Sequence, residues 1–192
     1  MRIPTTEFTR RPWRIHEIAP DFDVEDVWQV PVTLTPETFP MAVATLTEGN
    51  PSESPSLAYR FLFAVRWGIG RLFGWDRAGR GTDGRVESLA GRLPADLRSQ
   101  PGPPAGRSSP FTPLFLTENE YAAELANATC HALLHLGLTQ EDSAYTAQMT
   151  VLVRPSGILG RFYMALIKPF RYTVIYPQLM RMFAQRWSKL AA

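Results

Sequence analysis

From Ala144 to Arg154 the chain alternates: Tyr145, Ala147, Met149, Val151 and Val153 are apolar, while Thr146, Gln148, Thr150 and Arg154 fall between them. Period two over this length predicts a half-buried antiparallel strand. After Pro155-Ser156-Gly157 follows an aromatic-rich stretch with helical character, so a sheet covered by a long C-terminal helix is predicted. Upstream, Glu120 to Leu138 carries two patterns at once. Tyr121, Leu125, Ala128, Ala132 and Leu136 recur at helical spacing, whereas Cys130, Ala132, Leu134, Leu136 and Leu138 alternate as in a strand. Periodicity alone leaves helix and strand open here. Phe111 to Thr117 reads as a strand, at a sheet edge because of Pro113, and Glu118-Asn119 as a tight turn.

In the first half, residues 1–12 read as a loose arm and Trp13 to Ile18 as a first strand. Pro20-Asp21-Phe22-Asp23 offers N-cap chemistry for a short helix through Val27 and Trp28. Pro36-Glu37 opens another helix, to about Leu46. A longer one is predicted over Leu57 to Phe73, with Gly74 as its stop and Trp67 and Trp75 broadening its apolar face. Val86 to Leu97 holds a short strand or a turn of helix. The Pro/Gly-rich segment at about 98–110 reads as an exposed, mobile linker.

With 192 residues, 45% hydrophobic and 20% charged, the chain fits one globular domain, taken as residues 13–190. A net charge of +2 with scattered arginines does not predict nucleic-acid binding. Cys130 is the only cysteine, so no internal disulfide forms and a cytoplasmic location is expected. Arg60, Arg66 and Arg71 interrupt one apolar run and Arg161, Lys168 and Arg171 the other, so neither suits a membrane span, and membrane contact is not expected.

Several runs carry a resemblance: E-L-A-N-A-T-C-H-A-L-L-H-L-G-L (Glu124 to Leu138), G-R-F-Y-M-A-L-I-K-P-F-R (Gly160 to Arg171) and Tyr176-Pro177. Phe73-Gly74-Trp75-Asp76 and Leu93-Pro94-Ala95-Asp96 extend it. Together they resemble the bacterial family known as domain of unknown function 2867, similar in turn to the START/polyketide-cyclase (SRPBCC) helix-grip superfamily. The resemblance implies an α+β fold, a curved antiparallel sheet wrapped around a long C-terminal helix with additional N-terminal helices. It also implies that 120–127 and 129–138 are paired strands. It carries no catalytic residues across.

His131 and His135 share one face whether the segment is strand or helix, together with Thr129, Leu133 and Gly137 on the strand reading. Two placements stay open: facing a cavity as an acid/base pair, which imidazole suits near neutral pH, or satisfied on the outer face. Glu124 and Asn127 are the nearest candidates for a third metal ligand, but no metal and no cofactor are expected. Arg171, among Tyr163, Tyr172 and Tyr176, reads either as an anion-binding group at a cavity mouth or as a structural bridge to Glu120, Glu124 or Asp76. The candidate catalytic residues are therefore His131, His135 and Tyr163, with Asn127, Glu124, Arg171, Trp75 and Tyr145 as ligand-binding candidates. The expected partner is a hydrophobic small molecule in an internal apolar pocket, acted on by cyclisation, dehydration or isomerisation, or carried without chemistry. The expected state is monomer or homodimer. An alternative is a partner-binding domain that uses the aromatic face of 57–75.

Overall fold

The structure, a computed structural model, describes residues 1–48, 86–105, 111–126, 130–141, 144–188 and 190, with only the backbone for 46–48, 159 and 163. The predicted helix over 57–73, Trp75 and Asn127 lie outside the described residues.

The fold is α+β. The strands are β1 (Arg2–Ile3), β2 (Asp23–Thr33), β3 (Thr112–Leu116), β4 (Glu120–Ala126), β5 (Cys130–Glu141) and β6 (Ala144–Pro155). They form one curved, unclosed antiparallel sheet in the order β1-β2-β6-β5-β4-β3. Within the ambiguous 120–138 stretch, 120–126 and 130–138 are paired strands, with Glu120 opposite Gly137 and Ala126 opposite His131. β3 is the far edge, where the missing N–H of Pro113 costs no ladder bond, and a register shift follows it.

Both sheet faces are covered. One carries Trp28, Val30, Tyr121, Leu136, Ala147 and Met149. Over it lie α3 (Phe39–Glu48) and a C-terminal rod made of α5 (Gly157–Phe170), a π-turn (Arg171–Ile175) and α6 (Tyr176–Trp187). Gly157, at φ 66°, lets the chain leave β6 and enter the rod, a backbone conformation that a side chain would strain. Phe183 stacks on Trp187 at 4.9 Å, and Trp187 Nε1 donates to the Ala42 carbonyl at 2.9 Å. The Tyr176 ring also meets Trp28 of β2 at 5.3 Å, so aromatic residues of the rod pack against both α3 and the sheet. Trp187→Ala is expected to cost about 3–5 kcal/mol in urea unfolding, since it empties a fully buried indole site.

The opposite face is roofed by α1 (Thr6–Thr9), α2 (Ile15–Ile18), a 3-10 turn (Leu89–Arg92) and α4 (Ala95–Arg98). Phe8, Trp13, Ile15, Ile18, Leu89, Leu93 and Leu97 pack there against Ala122, Leu133 and Leu152. Asp21 sits between Arg92 and Arg154, each 2.6 Å away, and ties this roof to the end of β6. The Arg92 hydrogen bond, aided by Arg154, outweighs partial burial and holds the Asp21 carboxyl down at about 2.

Three expectations need correction. Trp13 to Ile18 is not a strand: Ile15 and Ile18 are both buried at a spacing of three, which a helical turn satisfies and a strand does not. Phe22 to Trp28 is not a helix. From Asp23 onward it is the start of β2, because Trp28 and Val30 face the rod while Val27 faces the roof. Residues 1–12 are built into the fold rather than loose, with Arg2 and Ile3 paired to Trp28 and Val27 and Phe8 fully buried.

Candidate functional site

Glu120 and Glu124 stand four apart on β4, and His131 and His135 four apart on β5. With a side-chain period of two, all four point to the roofed face. Glu120 is opposite Gly137 and Glu124 opposite Leu133, so each glutamate lies two positions off its histidine, a diagonal that long side chains span. His135 Nε2 is 3.1 Å from Glu120 Oε1, and His131 Nε2 is 2.9 Å from Glu124 Oε2. All four residues are buried.

Each carboxylate reaches further, into the roof. Glu120 accepts the backbone N–H groups of Arg14 and Ile15, both at 2.8 Å, at the start of α2. Glu124 accepts Leu89 N–H at 3.0 Å and the Ser88 hydroxyl, at the start of the 3-10 turn. A helix start leaves such donors without intrahelical partners. The two glutamates thus clamp roof to sheet, each holding a histidine at the same time.

Burial on its own would raise both carboxyls. The histidine hydrogen bond, the imidazole charge and the donated N–H groups more than offset it, and both lie below the ordinary 4.5. A depressed folded value gives stability that is complete above the unfolded value and is lost as pH falls through the folded one. The urea midpoint is therefore expected to hold down to about pH 5 and to drop below it, by less in a Glu120→Gln, Glu124→Gln double variant. An equal acid loss in that variant would show that these carboxylates are not its source.

If Glu120 is ionised, His135 donates to it through Nε2. The His135 Nδ1 atom is buried without a hydrogen-bond partner, and so are Thr150 Oγ1, Gln148 Oε1 and Trp13 Nε1. Thr150 is directly opposite His135 across the β5–β6 ladder, and Gln148 is opposite Gly137. The Trp13 ring lies edge-on to His135 with centroids 5.2 Å apart. Four unmatched polar atoms thus lie together on the roofed face around His135, and His131 Nδ1, four residues back on β5, is unmatched too. Buried groups of this kind are normally satisfied by ordered water or a ligand. Beside them a surface cleft of about 370 Å³ is lined by Arg11, Pro12, Trp13, Arg14, Asn119, Glu120 and Leu138. Trp13 and Glu120 belong to both the cleft wall and the buried centre.

Gly137 is what lets Trp13 sit so deep. A Cβ there would lie 2.6 Å from two atoms of the indole. Glycine inside a strand often marks such a close approach. Gly137→Ala is expected to push Trp13 outward, lower stability by about 1–3 kcal/mol and shift the tryptophan emission to the red. An unchanged spectrum would count against this placement of Trp13.

Of the remaining candidates whose side chains are described, Arg171 and Tyr145 do not join this centre. Arg171 is on the rod-covered face, buried, bonded to Asp26 and to the Tyr176 hydroxyl (2.9 and 3.0 Å), with Glu25 at 3.5 Å. Burial opposes its charge, but Tyr176, Asp26 and Glu25 together raise its pKa. It thus forms a buried bridge to Asp26 rather than to Glu120 or Glu124, while Asp76 lies outside the described residues. Tyr145 is half-buried near the start of β6 and packs toward the rod, and its carbonyl accepts Leu34 N–H at 3.1 Å. Tyr163 lies on α5, its side chain outside the described atoms. Cys130 is buried on the rod side beside Val153 and Met164, away from the His131 ring. Sequence reasoning missed Glu120 as the partner of His135, and it missed Trp13, Gln148 and Thr150. The one available signal was the matched spacing, E-x-x-x-E on β4 against H-x-x-x-H on β5.

A family model described as "Protein of unknown function (DUF2867)" matches residues 18–178. The chain belongs to this family. The matched stretch runs from the end of α2 into the first turn of α6, and so takes in both Glu–His pairs and Arg171 but not Trp13, Arg14 or Ile15. No curated protein and no solved structure matches the chain significantly. Among the described residues, no group of three or more His, Cys, Asp and Glu side chains is placed to hold a metal ion. No described helix is long and apolar enough to cross a membrane.

Proposed function

We propose that this chain binds a small molecule at the centre formed by His135, Thr150, Gln148 and Trp13, entered through the cleft at Arg11–Arg14 and Glu120. The architecture reads as a variant of the helix-grip fold of START/polyketide-cyclase proteins, with its ligand on the roofed face rather than between sheet and rod. The observation that carries the reading is the cluster of four buried polar atoms without protein partners, one of them on a histidine held by a carboxylate. Apolar walls from Phe8 and Trp13 with a few convergent polar groups fit a small, largely apolar ligand bearing one polar function.

Chemically, Glu120 orients the His135 ring, leaving Nδ1 as the proton acceptor and Thr150 or Gln148 as a second hydrogen-bonding group. Such an arrangement suits isomerisation or dehydration, where a proton leaves carbon and returns elsewhere. Carriage without chemistry is the second reading. It is favoured by the repeat of the same pair at Glu124 and His131, edge-on to Phe22, where holding the roof accounts for the geometry.

Native mass spectrometry of protein purified without added ligand tests the binding. A mass surplus is expected in the wild type and is expected to vanish in Thr150→Val, Gln148→Leu. A high-resolution crystal structure with water alone on the four atoms, and no mass surplus, would overturn the proposal. Once a ligand is known, His135→Gln that still binds but no longer turns over would separate enzyme from carrier.

A further inference from the structure

The four unmatched atoms around His135 are not interchangeable in what they offer a ligand. Trp13 Nε1 can only donate a hydrogen bond, Thr150 Oγ1 can donate or accept, and the Gln148 amide can turn either its oxygen or its nitrogen inward. His135 Nδ1 is fixed by what lies on the other side of the ring. Glu120 Oε1 is 3.1 Å from Nε2 and also accepts Ile15 N–H, while Oε2 accepts Arg14 N–H. Burial opposes the charge on this carboxyl, but those donors outweigh it and hold its pKa below the ordinary 4.5. An ionised carboxylate only accepts, so Nε2 carries the proton and Nδ1 of the neutral ring accepts. The centre therefore has one fixed donor, one fixed acceptor and two groups that can serve as either.

These groups meet over Gly137. A side-chain carbon there would lie 2.6 Å from Cζ2 of Trp13 and 3.1 Å from Cε1 of His135. Cε1 is bonded to Nδ1, and Cζ2 is next to the ring carbon that bears Nε1, so the fixed donor and the fixed acceptor border the same glycine. Gln148 is opposite that glycine and Thr150 opposite His135. A charged ligand is poorly served here. A carboxylate would stand beside buried Glu120, and like charges sharing a low-dielectric site repel strongly. The nearby guanidinium of Arg14 is already tied to Asp96 and Glu17. An ammonium would leave Trp13 N–H without an acceptor, and both oxygens of Glu120 already hold backbone donors. An uncharged group with one acceptor and one donor satisfies both fixed atoms at once, whereas each buried group left unmatched costs its full desolvation. Phe8 and the Trp13 ring, both edge-on to His135, give the rest of the ligand apolar surroundings.

We propose that the ligand of this centre is an uncharged molecule whose polar function both accepts and donates a hydrogen bond, of the class of lactams, amides and hydroxy-ketones. Its acceptor lies on Trp13 Nε1–H and its donor on His135 Nδ1, with Thr150 and Gln148 completing the set. This assignment rests on the binding at His135 proposed above and narrows it. Carboxylic acids and amines are excluded as ligands, and a ketone without a donor binds less well because His135 Nδ1 stays unmatched.

The full chain should be titrated with δ-valerolactam, cyclohexanone, pentanoate and piperidine, each read by heteronuclear NMR on the assigned indole N–H of Trp13. δ-Valerolactam, which has both functions, is expected to shift this resonance saturably. It should bind about tenfold or more tightly than pentanoate or piperidine, since those leave a buried group unmatched or a charge unpaired. Cyclohexanone, which only accepts, should fall between. In His135→Phe, which removes the fixed acceptor, the lactam should lose its advantage over cyclohexanone. A thermal melt checks that this variant is folded, and the comparison of probes on the unaltered chain stands without it. Pentanoate or piperidine binding as tightly as the lactam overturns the ligand class and leaves the binding centre in place. A lactam that leaves the Trp13 signal unmoved overturns the class too. A native mass spectrum without a surplus then removes the binding centre with it.

Discussion

Replacing Arg171 by leucine should cost about 3–5 kcal/mol in urea unfolding, a large share of the roughly 5–15 kcal/mol that holds a typical domain folded. Asp26 is fully buried and Arg171 nearly so. With the guanidinium gone, the carboxylate would keep, among the described residues, the Tyr172 and Tyr176 hydroxyls and Arg2, 3.9 Å away and exposed to water. An uncompensated buried charge is the costly outcome, far more than the pair itself is worth. The sharper test is the rescue. Asp26→Leu placed on top of Arg171→Leu should recover more than half of the loss, because both charges are then removed together. Should the single variant fail to fold, Tyr176→Phe offers a milder probe. It deletes one hydroxyl bonded to Arg171 and should cost about 1–2 kcal/mol. A loss below about 1 kcal/mol for Arg171→Leu would mean that the bridge is not what holds the rod to β2.

The backbone around this bridge is shaped to admit it. β2 has a register shift between Val24 and Asp26, and the rod has a π-turn beginning at Arg171, just past Pro169. Proline removes a helical N–H, and a π-turn shifts the phase of the residues that follow. The two irregularities face each other across the sheet–rod boundary and bring two charged residues inside.

What the sequence disclosed and what it hid divide along the same line. β6 was legible because its pattern is local: every second residue meets the rod. His131 and His135 could be placed on one face because their spacing serves strand and helix alike. β2 was hidden because Asp23-Val24-Glu25-Asp26 looks like a cap and a polar turn. Asp26 is a core residue only by virtue of Arg171, 145 positions later. Helix α2 was hidden in the same way, since its first N–H groups are satisfied by Glu120, more than a hundred residues away. No window of a dozen residues contains either partner. The strand pairing of 120–138 was open on pattern alone and was resolved by the family resemblance, which the antiparallel β4–β5 ladder bears out.

Glu120→Ala is the second large effect, again about 3–5 kcal/mol, but through a different loss. Three donors, the His135 ring and the N–H groups of Arg14 and Ile15, would be left buried without an acceptor, each costing about 1–3 kcal/mol before relaxation. The roof has a way to relax that the sheet lacks: α2 can lift off and give its N–H groups to water. Hydrogen exchange should therefore rise steeply over residues 8–18 while β5 and β6 stay protected, an opening of part of the molecule rather than of the whole. Glu120→Gln should fall in between, because its oxygen can keep one donor while its NH₂ faces the others. Glu124→Ala should loosen residues 88–92 in the same manner. Uniform loss of protection across sheet and roof in Glu120→Ala would show that Glu120 supports the sheet itself. A roof that stays protected would show that its hydrophobic packing, rather than the carboxylate, keeps it closed over His135.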